Sequence, residues 1–151
     1  MVTIELRRAT LDDAPLLATL NRQLIEDERS RNPMSDAELE ARMRGWLAAD
    51  WTAVLIVREE AVVGYALYQE RHDPYFPARR TIYLRQLFVG RDQRGRGVGR
   101  AAIATLLREW FPADATVELD VLETNPAGQR FWRSVGFAPY ATTYQRPPAQ
   151  E

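Results

Sequence analysis

With 151 residues, 46% of them hydrophobic and 27% charged, the chain is long enough to bury one core and has an ordinary globular composition. A formal net charge of −1 argues against general nucleic-acid binding, and no run of about 18 apolar residues offers a membrane-spanning helix. The absence of cysteine excludes disulfides, thiolate metal ligands and an acyl-cysteine intermediate, and a single histidine, His72, leaves a protein-only zinc site short of ligands.

The stretch 2–7 alternates apolar and polar residues and reads as a strand. It has no apolar signal-peptide core, so the cytoplasm is the expected compartment. Thr10, with Asp13 three residues on, caps a helix carrying Leu17, Leu20 and Leu24 at helical spacing. Asn32 and Pro33 break it. Ser35 and Glu38 repeat the capping pattern ahead of a second helix with a stripe of Leu39, Met43, Trp46 and Leu47. Residues 53–57 form a continuous apolar run, a buried strand, and a short turn joins it to a second strand at 61–68. A polar and aromatic loop, 71–80, follows and reads as acceptor-facing or as a contact in a homodimer.

The strand 81–89 changes phase. Ile82 and Leu84 occupy one alternation, Leu87 and Val89 the other. Period two survives across Arg85 and Gln86 with an extra residue, which predicts a β-bulge; the alternative is a strand buried on both faces, where phase means little. Gly95, Gly97 and Gly99 then open a helix with an apolar face of Ala102, Ile103, Leu106, Leu107 and Trp110, ended by Pro112. A strand is expected at 116–122, a helix capped by Asn125 and stopped at Gly136, and a last aromatic strand at 137–145. Hairpins mixed with crossover helices give an α/β fold with a mixed sheet. The expected organisation is one domain over 1–146 with a tail at 147–151.

The chemistry gathers between residues 91 and 100, where four arginines (Arg91, Arg94, Arg96 and Arg100) stand against one Asp92. Glycines allow close backbone approach, and the helix start offers unpaired N–H groups and a positive dipole end. Together they make an anion site suited to a pyrophosphate. A P-loop needs a lysine, and none is present; a dinucleotide fold needs a different glycine spacing early in the chain.

The run Arg94-Gly95-Arg96-Gly97-Val98-Gly99 resembles the signature of the GNAT family of N-acetyltransferases. A second match lies at Asn125, Ala127, the aromatic pair Phe131 and Trp132, and Gly136-Phe137. The resemblance spans about 3–144. It implies a single-domain fold with a mixed, mostly antiparallel central sheet flanked by helices and a splay between the fourth and fifth strands. It also implies transfer of an acetyl group from acetyl-CoA, the co-substrate, directly to a small-molecule or peptide amine, without metal, membrane or nucleic acid. Backbone N–H groups of Arg94, Gly95, Arg96, Gly97, Val98, Gly99 and Arg100 would hold the pyrophosphate. Pantetheine would run along Leu87, Phe88 and Val89, with the Leu87 N–H facing the thioester carbonyl. Asn125, Phe131 and Trp132 would face the thiol end, and Arg130 or Arg133 the adenosine phosphate.

The sequence departs from the family at the catalytic groups. Where many members carry a glutamate base, Tyr83 and Arg85 stand; where many carry a tyrosine acid, Trp132 stands. Glu70 and Asp120 are the candidate bases acting through water, Tyr140 and Tyr144 can reach in from the last strand, and His72 is a further titratable group. Glu26, Asp27 and Glu28 either attract a cationic amine or form a solvated helix end. The alternative reading is a non-catalytic acyl-CoA binding domain.

Overall fold

The structure, a computed structural model, describes residues 2–149. Gln150 and Glu151 of the expected tail lie outside the described residues. The chain falls into two compact units, Met1–Asp120 and Val121–Glu151.

The first unit is built on a five-stranded sheet in sequence order: β1 (Glu5–Arg8), β2 (Trp51–Arg58), β3 (Ala61–His72), β4 (Arg80–Val89) and β5 (Thr116–Glu118). The first four strands are antiparallel and β5 runs parallel to β4. Two helices, α1 (Ala14–Glu28) and α2 (Asp36–Ala48), cover one face. Leu17, Leu20, Leu24 and Met43 pack there with Ala53, Leu55, Tyr65, Leu67 and Phe88. The alternate residues serve the other face, where Val98 and Ala102 of α3 (Val98–Thr105) meet Ile56, with Leu87 and Val89 packed against them.

The predicted caps form with one adjustment. Thr10 donates its N–H to Asp13 Oδ2 at 2.8 Å, but residues Leu11–Asp13 make a tight 3-10 turn and the α-helix proper starts at Ala14. The Ser35 hydroxyl accepts from the Glu38 N–H, and Glu38 Oε1 accepts from the Ser35 N–H at 3.0 Å, a complete capping box. Helix α1 ends before Asn32, on Arg29 in the left-handed region at φ 52°, and the Ser30 N–H reaches back to the Ile25 carbonyl at 3.0 Å.

The expected bulge is present. Leu67 pairs with Gln86 and Tyr68 with Leu84, which leaves Arg85 as the extra residue on β4. The β2–β3 hairpin closes through two residues, Glu59 and Glu60, both at positive φ.

Three expectations need correction. The strand predicted over 116–122 extends only to Glu118. Its ladder with β4 stops at Tyr83, two residues short of the bulge, because a bulge bends its strand and takes the edge out of register. The strand predicted over 137–145 does not form, and Tyr140 and Tyr144 lie exposed in irregular backbone. Leu107, placed on the buried face of the third helix, is exposed instead. There the helix widens into a π-turn over Leu106–Trp110, which the Phe111 N–H closes on the Leu106 carbonyl at 2.8 Å.

The second unit holds α4 (Pro126–Ser134). Asn125 Oδ1 accepts from the Gly128 N–H at 3.0 Å, so this residue does act as the cap. Gly136 takes φ 100°, and the Phe137 N–H returns to the Trp132 carbonyl at 2.9 Å. This is the left-handed stop that the sequence calls for.

Candidate active site

Strand β4 sets the geometry of the site. Its pairing with β5 covers only Thr81 to Tyr83, so among the described residues its outer edge from Leu84 to Val89 carries no strand partner. This is the splay between the fourth and fifth strands. An unpaired strand edge offers N–H and C=O groups to an extended ligand. Leu87 and Val89 are half-buried with their side chains on the α3 face, and Phe88 is fully buried on the other.

Beyond β4 the chain turns through Gly95 at φ 74° and Gly97 at φ 81°, and Gly97 caps α3. An L side chain at either position pays a left-handed penalty of about 1–2 kcal/mol. Nothing lies within 4 Å of a Cβ built on Gly95, so the turn presents open backbone. Val98 is buried in the core, Gly99 is half-buried, and Arg96 and Arg100 are exposed. The backbone fits a pyrophosphate: successive turn amides, a helix start and local positive charge.

The side chain of Arg94 is committed elsewhere. Its Nε donates to the Val89 carbonyl at 3.0 Å, and its Nη2 donates to Asp27. Arg91 donates to the same carboxylate through Nε at 2.6 Å and through Nη2. The Asp27 side chain is only 8% exposed. Burial pushes its carboxyl up, but the hydrogen bonds and charges of Arg91 and Arg94 outweigh this and hold it below the ordinary carboxylate range. Asp27 thus ties the end of α1 to the glycine turn. The sequence offered no sign of this pairing, which joins residues more than sixty positions apart.

A cleft of about 280 Å³ opens on the α1–α2 face beside the bulge. Asn21 and Glu28 of α1, Arg42 of α2, and Tyr83, Arg85 and Gln86 of β4 line it. Tyr83 donates its phenolic proton to Asp120 Oδ2 at 2.8 Å. Burial, then this carboxylate, raises the Tyr83 phenol above its ordinary value, so it keeps its proton at neutral pH. Burial, then the charge of Asp27, raises Glu28 as well.

Glu70 and His72 do not line this cleft. Glu70 pairs in register with Ile82, on the opposite face of the sheet from Tyr83, and makes an ion pair with Arg80 at 3.8 Å. His72 sits at the end of β3 with Nδ1 3.2 Å from the Pro77 carbonyl. In the second unit, Phe131 and Trp132 are half-buried and meet edge to face at 5.0 Å, and Trp132 meets Phe137 in the same way at 5.1 Å. Arg130 and Arg133 are exposed there, and Tyr140 is 93% exposed. Among the described residues no group of three or more His, Asp or Glu side chains gathers as a metal site, and no helix is long and apolar enough to cross a membrane.

Comparison with known proteins agrees with this geometry. Residues 19–137 match the model of the acetyltransferase (GNAT) family. A Bacillus halodurans protein, solved as a point mutant, is 27% identical with a TM-score of 0.75, covering 96% of this chain and 99% of its own. An aminoglycoside N-acetyltransferase solved with coenzyme A is 19% identical with a TM-score of 0.76, covering 99% and 97%. A ribosomal-protein-alanine N-acetyltransferase from Brucella melitensis is 16% identical with a TM-score of 0.73, covering 97% and 100%. No curated protein matches the sequence at a meaningful level.

Proposed function

We propose, from the premise that this chain belongs to the acetyltransferase (GNAT) family, that Leu87, Tyr83 and Asp120 carry the transfer and that the turn Arg94 to Arg100 holds the nucleotide. As a family member the chain is an N-acetyltransferase with acetyl-CoA as its co-substrate. Bound acetyl-CoA supplies an activated acetyl thioester. The residues of this chain supply the rest.

Support for the nucleotide site is the open edge of β4 running straight into the positive-φ turn and the start of α3. Turn amides and Arg96 take the pyrophosphate, while backbone at Leu87 and Val89 takes the pantetheine arm. The Leu87 N–H stabilises the charge that develops on the carbonyl oxygen. Asn125, Phe131, Trp132 and Arg133 are assigned to the same cofactor in the proposal. One catalytic domain over 1–146 accommodates them. Tyr140 remains a candidate acid, and Glu70 a weaker base than Asp120 because it faces away from the cleft.

One observation carries the catalytic assignment: the Tyr83 phenol bridges the cleft to the Asp120 carboxylate. An amine nitrogen attacks the acetyl carbon, the C–S bond breaks, and the thiolate leaves. The amine proton passes to the Tyr83 oxygen as Tyr83 releases its own proton to Asp120. Charge and protons balance, and no acyl-enzyme forms. This pair replaces the glutamate found at this strand in many members. The acceptor is a small-molecule or peptide amine, and the setting is the cytoplasm. Aminoglycosides and a ribosomal-protein alanine, the acceptors named for two proteins of the same fold, mark the range to be screened.

The test is thiol release from acetyl-CoA across a panel of amines, with the product weighed by mass spectrometry. The expected result is amine-dependent release, intersecting initial-rate lines and no acylated protein. Parallel lines with a stable acyl-protein would overturn direct transfer.

A further inference from the structure

The acceptor cleft is built to hold an anion. Arg42 and Arg85 stand together on its wall, their guanidinium carbons 4.5 and 5.1 Å from the ring centre of Trp46. Among the described residues neither makes an ion pair with a carboxylate. Arg42 gives Nη2 to Asn21 Oδ1 at 3.0 Å, and its Nε has no hydrogen-bond partner. Burial, then the charge of Arg85, pushes the Arg42 guanidinium below its ordinary value. Two like charges on one cleft without a carboxylate partner are costly in the empty protein, and an anion that meets both relieves that cost.

A second observation points the same way. Asn21 is 1% exposed, the only buried polar residue of the described core, and it lines the cleft. Its Nδ2 lies near the Tyr65 hydroxyl oxygen, which could accept from it, but the two do not meet in hydrogen-bond geometry, because that hydroxyl is turned to donate to Gln86 Oε1 at 2.7 Å. A buried N–H left in this state awaits an acceptor atom. Glu28 also lines the cleft and, among the described residues, makes no salt bridge, which leaves its carboxylate suited to an ammonium group.

We infer that this cleft binds the carboxylate of an acceptor that carries both an amine and a carboxylate, with Arg42, Arg85 and the Asn21 amide as its receptor. The inference rests on the transferase reading above for the word acceptor, but the anion site stands on the cleft itself. The cleft sets two cations against one carboxylate. It therefore disfavours polycationic amines and favours amino-acid-like ones, because a planar guanidinium fork matches a carboxylate.

The test uses matched probes that require no turnover. Calorimetry compares N-acetylglycine with N-acetylglycinamide on the full chain saturated with coenzyme A. The wild type is expected to bind the acid at least tenfold more tightly than the amide, and Arg42→Gln and Arg85→Gln are each expected to remove most of that preference. Arg85 is exposed, so its variant keeps the test valid if the Arg42 variant misfolds. Equal binding of acid and amide, no binding of the acid, or a preference unchanged in both variants overturns the inference. The amine panel fails separately: turnover with amines whatever their carboxylate content leaves the transferase standing and overturns the assignment of the anion site to the acceptor.

Discussion

Arg94 and Arg96 sit two residues apart and have different tasks. Arg94 is bound to Asp27 and to the Val89 carbonyl, whereas Arg96 is exposed with no partner among the described residues. Arg96→Ala is expected to remove one charge-assisted phosphate contact, about 1–3 kcal/mol. Coenzyme A should then bind roughly tenfold more weakly at unchanged thermal stability, as calorimetry and melting would show. Asp27→Asn acts on the fold. Its folded carboxyl lies below the ordinary value of 3.8, so its contribution is fully present above that pH and is lost as pH falls through the lower, folded value. Because both arginines are well exposed, solvent screening limits the effect to about 1–2 kcal/mol. Denaturant unfolding should separate wild type from Asp27→Asn at pH 7, and the gap should narrow as the pH is taken below 3.8 towards 3. A gap of equal size at both would locate the effect in packing, not charge.

At the scale of elements, the bulge shows what a pattern can reveal. Ile82 and Leu84 against Leu87 and Val89 demand an extra residue, and Arg85 is that residue. The caps at Ser35 and Asn125 and the stop at Gly136 were legible for the same reason, each being set within a few residues. The aromatic alternation of 137–145 was misleading because a strand is stable only beside another strand, and no local pattern supplies the neighbour. The pattern around Glu59 and Glu60 predicts a turn but gives no sign of two positive φ angles, since glutamate is a poor choice for them. Glu60→Gly should therefore stabilise the hairpin by about 1 kcal/mol. The corresponding rise in melting temperature is roughly 2–4 °C for a chain of this size, read by calorimetry. No change, or a loss, would mean the turn geometry is unstrained.

At the scale of the whole molecule, the glycine turn was legible in the sequence and the cleft was not. The glycine turn declares itself within ten residues, but the cleft draws on α1, α2 and β4, whose meeting depends on tertiary packing. Asp120 illustrates the gap. It was a candidate base by charge alone; only the parallel register, with Tyr83 beside Glu118, brings the carboxylate two residues further on to the phenol. Tyr83 could not be recognised as a relay without that partner. The central claim is that these two residues move one proton as a unit. Tyr83→Phe and Asp120→Asn should each lower the single-turnover rate of acetyl transfer by about a hundredfold, in the range of general acid–base catalysis. Residues acting as a unit are non-additive. The most direct measurement is therefore that rate in wild type, both single variants and the double variant. The predicted result is a double variant no slower than either single one; multiplied losses, or single variants as fast as wild type, would contradict it.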